Sequence, residues 1–69
     1  MYGKELKRHR EALGISQNEL ERQTGISHQN INRWENDTIS PNIEFCVKLA
    51  NFYGITLDEL IGRETQKNW

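Results

Sequence analysis

Cysteine occurs once in this 69-residue chain, at position 46, and proline once, at position 41. A single thiol excludes an internal disulfide and fits a reducing compartment. Apolar residues make up 35% of the chain, below the usual share but enough for one compact core. No apolar run reaches the roughly 18 residues that a membrane helix needs, and no signal-peptide pattern is present. The expectation is a soluble, cytoplasmic protein with no membrane contact. An excess of positive charge is lacking too. The net charge of −1 is not that of a strongly basic nucleic-acid binder, although the distribution matters more than the sum. Lys4, Lys7, Arg8 and Arg10 crowd the start, while Asp37, Glu44, Asp58 and Glu59 lie later. No strand signal, repeat or low-complexity segment is visible. A chain this short is one domain, of modest stability unless it oligomerises. His9 and His28 fall on different expected helices and Cys46 on a core face. No nucleophile–base pair or metal-ligand spacing is present, so neither an enzyme, a metal nor a cofactor is expected.

What is present centres on residues 16 to 35, SQNELERQTGISHQNINRWE. Ser16 is an N-cap residue type, and Glu19 three positions later completes a capping box. Leu20 and Thr24 face inward at i, i+4. Gly25 suits the left-handed position that ends a helix. Ile26 plugs the corner. Ser27 caps a second helix at once, and Ile31 and Trp34 continue its buried side. Two capped helices with almost no loop form a helix-turn-helix unit, whose second helix can enter a DNA major groove. Some other small helical bundle is the alternative.

The rest of the chain supplies support. Residues 4 to 13 read as a first helix, with Leu6, Arg10 and Leu13 on one face and Gly14 as the stop. Arg10 is a charge on an apolar stripe. It either pairs bidentately with Glu35, near the end of the second motif helix, or snorkels to solvent. After a polar turn at 36–39, Ser40 and Pro41 read as N-cap and first residue of a fourth helix running to Tyr53. Ile43, Cys46, Val47, Ala50 and Tyr53 form its expected core face. Gly54 ends it and Ile55 is buried in the connection. Thr56 and Glu59 form a second capping box on a last helix, 57 to about 61, where Leu57, Leu60 and Ile61 close the core. Residues 63–69 are polar and expected to fray. The expectation is one all-α domain of five helices over 1–62.

The runs LKRHREALGISQNELERQTGISHQNINRWEND and SPNIEFCVKLANFYGITLDELI resemble the phage repressor/Cro family of helix-turn-helix domains, also called the xenobiotic-response-element type. Leu6, Arg10, Gly14, Ser16–Gln17, Glu19–Leu20, Gly25–Ile26–Ser27, Ile31 and Trp34–Glu35–Asn36 carry the likeness. Pro41, Leu49–Ala50, Gly54–Ile55 and Leu57–Asp58–Glu59–Leu60 extend it. The resemblance implies a compact, lambda-repressor-like five-helix domain. It also implies a two-fold dimer on operator DNA that represses or tunes transcription. Two residues depart from the family pattern: Asp37 where Gly is usual, and Glu21 where Ala is usual. Asp tolerates the left-handed conformation better than most residues. Both acids count against contact with phosphates.

Contacts to DNA divide into those that position and those that read. His28, Gln29, Asn32 and Arg33 project together from the second motif helix. Gln29 can pair bidentately with adenine and Arg33 with guanine. His28 can donate to guanine N7 or O6, or touch a thymine methyl. Asn32 can reach a base edge or a phosphate. Gln17 at a helix N-terminus suits a phosphate, and in the family the matching Gln also touches the first reading residue. Ser27, Asn30, Asn36, Thr38, Lys7 and Arg8 complete the candidate phosphate-positioning set. For each, a plain solvated helix face is the alternative.

One such module reads about four base pairs, so a two-fold homodimer, at least on DNA, is expected. Phe45, Leu49 and Phe52 form a second apolar stripe on the fourth helix. With Leu57, Ile61 and Trp69 they are the candidate dimer interface. Alternatively the stripe packs under Tyr2 or the last helix. The competing function is an antitoxin-like or other protein-interaction module of the same fold, with a protein partner and weak or no DNA binding.

Overall fold

A computed structural model describes residues 2–63. Five helices follow one another: α1 (Gly3–Ala12), α2 (Gln17–Thr24), α3 (His28–Glu35), α4 (Ile43–Tyr53) and α5 (Leu57–Ile61). No strand occurs among the described residues. The fold is all-α. Among those residues no helix is long and apolar enough to cross a membrane. The expectations for the tail from 64 onward, including Trp69, lie outside the described residues.

Local chemistry sets each boundary. Ser16 Oγ accepts the Glu19 N–H at 3.0 Å and starts α2. This is half a capping box, because the Glu19 carboxylate turns outward to Arg22 and Gln23. Thr56 and Glu59 make the full reciprocal box at α5. Gly25 ends α2 with φ +78, where a side chain would be strained. α3 ends on two reverse bonds, Asp37 N–H to the Trp34 carbonyl and Thr38 N–H to the Arg33 carbonyl. That pattern is a Schellman motif, and it holds Asp37 at φ +60.

α1 packs against α3 and α5, α2 against α3 and α4, and α4 against α5. The core they enclose is Leu6, Leu20, Ile26, Ile31, Trp34, Cys46, Leu49, Ala50 and Leu60. Burial pushes the Cys46 thiol above its ordinary pKa, away from the thiolate form that reacts.

Several expectations from sequence are corrected. Asn42, not Ser40, caps α4, accepting the Phe45 N–H at 3.0 Å. Pro41 is buried one residue before the cap, and the proline holds Ser40 out of helical geometry. The buried side of α4 is rotated from the expected one: Cys46, Ala50 and Tyr53 face the core as expected, but Ile43 and Val47 do not, and Leu49 does. Leu49 is only 2% exposed, while Ile43 is 65% and Val47 40% exposed. Phe45 and Phe52 pack inward, Phe45 with its ring 5.1 Å from that of Trp34. Of the proposed dimer stripe, Leu49 is buried, and Phe45 and Phe52 are half-buried against the core. The helix is apolar on two sides, and periodicity alone does not choose between them. Leu13 is exposed because α1 ends at Ala12, and Leu57 is exposed at the start of α5.

The entry to α1 is a close approach that the sequence did not announce. Gly3 N–H donates to Asp37 Oδ1 at 2.9 Å. A Cβ on Gly3 would lie 2.5 Å from the Trp34 carbonyl oxygen, 2.6 Å from that of Glu35 and 2.7 Å from Asp37 Oδ1. Gly3→Ala must separate α1 from the end of α3. It is expected to destabilise the fold by about 1–3 kcal/mol, read by urea denaturation. Unchanged stability would contradict the close approach.

Candidate nucleic-acid interface

The corner between α2 and α3 is pinned from inside. Thr24 Oγ1 donates to the Leu20 carbonyl at 2.7 Å and accepts the Ile26 N–H at 3.2 Å. Ile26 is 2% exposed. At the start of α3, Ser27 Oγ accepts the Gln29 N–H at 3.2 Å, and Glu21 Oε1 accepts the His28 N–H at 3.0 Å. Two of the free N–H groups at that end are thus satisfied.

α3 turns about 100° per residue, and its two sides separate cleanly. Ile31, Trp34 and Glu35 are buried, whereas His28, Gln29, Asn32, Arg33 and Asn36 are exposed. The exposed five fall within an arc of about 140°. Asn30 is half-buried beyond Arg33, and Ser27, the N-cap, is half-buried at the start of the helix. An imidazole, three amides and a guanidinium share one surface, and their donors and acceptors can match base edges.

Beneath that surface lies a polar chain. Arg10 Nε donates to Glu35 Oε2 at 2.7 Å and Arg10 Nη2 to Glu35 Oε1 at 3.0 Å. Arg10 Nη1 donates to the Ile15 carbonyl at 2.8 Å. Both charged residues are buried. The hydrogen bond to Glu35 holds the Arg10 guanidinium pKa above its ordinary value. Gln17 Nε2 donates to Glu35 Oε1 at 3.0 Å and, more weakly, to Asn32 Oδ1 at 3.4 Å. Asn36 Nδ2 donates to the same Asn32 oxygen at 3.1 Å. With that oxygen occupied, Asn32 faces solvent as a donor. Gln29 is exposed beside it.

The other expected positioning residues are dispersed. Arg8 is two residues, or about 200°, from Arg10 on α1. It donates to Glu5 Oε1 at 2.6 Å and faces a hollow of about 580 Å³ lined with His9, Ile55, Glu59 and Gly62. It does not join the α3 surface. Lys7 is exposed and lies about 60° from Arg10. Thr38 is exposed just past α3, its N–H used in the helix stop. Among the described residues, no group of three or more His, Cys, Asp or Glu could hold a metal ion.

Sequence reasoning missed the roles of Glu21 and Asp37. Each is an acid at the N-terminus of a neighbouring helix, accepting the N–H of that helix's first residue: His28 of α3 and Gly3 of α1. The spacing of Glu21, seven residues before the first residue of α3, was the readable signal. Nothing in the sequence joins Gly3 to Asp37.

Removing one partner of a buried ion pair leaves the other charge uncompensated. Arg10→Met or Glu35→Leu alone is expected to cost about 3–5 kcal/mol, and the double substitution much less. Single variants within about 1 kcal/mol of the parent in denaturant melts would contradict the pairing.

A family model described as helix-turn-helix matches residues 6–60. The chain is similar to the HTH-type transcriptional regulator ImmR of Bacillus subtilis, with 32% identity over 62 residues. That match covers 90% of this chain and 49% of ImmR. It is also similar to the HTH-type transcriptional regulator PuuR of Escherichia coli, 37% identical over 57 residues, covering 83% of this chain and 31% of PuuR. The chain therefore spans about half the length of one curated relative and under a third of the other. A crystal structure of a transcriptional regulator from Listeria innocua shares the fold, with a TM-score of 0.80 at 20% identity. It is matched over 100% of this chain and 64% of its own. Matched over nearly its whole length, the chain belongs to the Cro/C1-type helix-turn-helix family.

Proposed function

We propose that this protein binds double-stranded operator DNA with α3 in the major groove, as a two-fold dimer, and represses transcription. The observation that carries the reading is the exposed arc of His28, Gln29, Asn32, Arg33 and Asn36 opposite a fully buried side. Solubility alone would be met by Glu and Lys. Amides, an imidazole and an arginine offer fixed hydrogen-bond patterns instead. Gln29 suits adenine and Arg33 suits guanine, both bidentately. Asn32 acts as a donor, toward guanine or a phosphate. Gln17, Ser27, Asn30, Asn36, Thr38 and Lys7 hold the register on the backbone, and the N-terminus of α2 adds N–H groups for a phosphate.

The dimer contact must differ from the stripe expected on α4. Leu57 and Ile61 remain at least partly exposed on α5, and Ile43 and Val47 offer an open apolar edge on α4. The reading places the protein in the cytoplasm with the DNA. The two acids that argued for a protein partner lose force as an objection. Each is held at a helix N-terminus, where the helix dipole offsets its charge.

Selection of bound duplexes from random DNA tests the proposal, with a two-fold symmetric motif as the expected result. Arg33→Ala should then cost about 1–3 kcal/mol and relax preference at one base pair per half-site. Uniform weakening on every sequence would remove Arg33 from the reading set. With few cations at the surface, the salt dependence should be shallow, about −0.9 in log–log slope for each phosphate neutralised. No binding to any duplex at micromolar protein and low salt would favour the protein-interaction reading.

A further inference from the structure

His28 and Glu21 face each other across the corner. Glu21 Oε1 accepts the His28 N–H at 3.0 Å and lies 2.6 Å from His28 Nδ1. The hydrogen bonds from His28 hold the Glu21 carboxyl below the usual carboxylate range. At neutral pH that oxygen is therefore an acceptor with no proton of its own. An acceptor this close requires a proton on Nδ1. A neutral imidazole has only one proton, so Nε2 is left with its lone pair. The His28 side chain is 48% exposed, and Nε2 is the ring nitrogen not engaged by Glu21. On α4, Lys48 approaches the same corner, with Nζ 3.9 Å from where a Cβ on Gly25 would lie.

We propose that Glu21 determines base specificity by fixing the proton of His28 on Nδ1, so that Nε2 accepts from the major-groove amino group of adenine or cytosine. This rests on the DNA-reading proposal above and refines it. A ring in this tautomer has no donor at Nε2 for guanine N7 or O6, which the sequence alone had allowed. Adenine N6 and cytosine N4 are the amino donors that the major groove presents; guanine and thymine present acceptors there. Glu21 touches no base itself and is a positioning residue. It also satisfies the first free N–H of α3, so one carboxylate fixes both the start of the helix and the hydrogen-bonding sense of its first side chain.

The test uses the full chain and its Glu21→Gln and His28→Ala variants at about pH 8. The amide of Gln keeps an acceptor for the α3 backbone. It also offers a donor, so it enforces neither tautomer. Nitrogen-15 spectra of the imidazole report which ring nitrogen carries the proton, with no DNA present. Titrations with selected duplexes varied one base pair at a time identify the pair whose preference disappears in His28→Ala. The expected parent has its proton on Nδ1 and favours adenine or cytosine at that pair by roughly 2- to 12-fold, the range of one net hydrogen bond. Glu21→Gln should show a mixed tautomer and a preference below about 2-fold, with affinity for random DNA kept or raised. A proton on Nε2 in the parent would overturn the proposal. So would a preference for guanine or thymine that survives Glu21→Gln, or the absence of any base pair that depends on His28. If no variant binds DNA, the preceding proposal falls with this specificity role, and the spectra still decide the tautomer.

Discussion

The Arg10–Glu35 ion pair is the constraint around which the domain is arranged. It joins α1 to α3 across the core, and its third guanidinium nitrogen ties in the carbonyl of Ile15, in the connection to α2. Burying two charges costs several kcal/mol per ion before any attraction is counted, and a well-packed apolar pair is often as stable. The pair therefore acts chiefly through geometry. A bidentate fork tolerates little rotation, so it sets the distance and angle between the first helix and the reading helix. Gln17 then relays that position from Glu35 to Asn32, within the exposed arc.

Two acids complete the arrangement. Glu21 and Asp37 stand where the family resemblance leads one to expect Ala and Gly, and taken singly each looks unsuited to a surface facing phosphates. In the folded chain each accepts the N–H of the first residue of another helix. An anion there is favoured by the helix dipole and replaces a missing intrahelical partner. Asp37 does this from a left-handed backbone position, so it keeps the turn that Gly would make and adds a link to α1. Gly3 is the counterpart of that link, since a larger residue would strike the carbonyls at the end of α3.

The sequence was most legible where signals of different kinds agreed. Around residues 16–35, capping residues, a left-handed Gly and helical periodicity all marked the same two helices, and the structure has them there. It was least legible on α4, where Phe45, Leu49 and Phe52 on one side compete with Ile43 and Val47 on the other. Only the position of Trp34 and the neighbouring helices decides which side is covered. Pro41 misled by suggesting a first helical residue, when it packs inward before the true cap at Asn42. The exposed arc of α3 followed from spacing. Of the hydrogen bonds beneath it, the Arg10–Glu35 pair was named from the residues, whereas those of Gln17 to Glu35 and of Asn36 to Asn32 were not, because periodicity says nothing of which polar groups meet across helices. Arg10 was legible as an anomaly, a charge on an apolar stripe, with Glu35 as its candidate partner, and the geometry chooses that pairing over a guanidinium reaching solvent.

The central claim is that the outward side of α3 meets base edges in the major groove. Replacing guanines in a selected duplex by 7-deazaguanine tests it most directly, because this removes a major-groove acceptor while leaving the minor groove and the phosphates intact. The account predicts a loss of about 1–3 kcal/mol in binding at the guanine read by Arg33. Equal affinity for the two duplexes, with binding lost instead when the minor groove is altered, would contradict it.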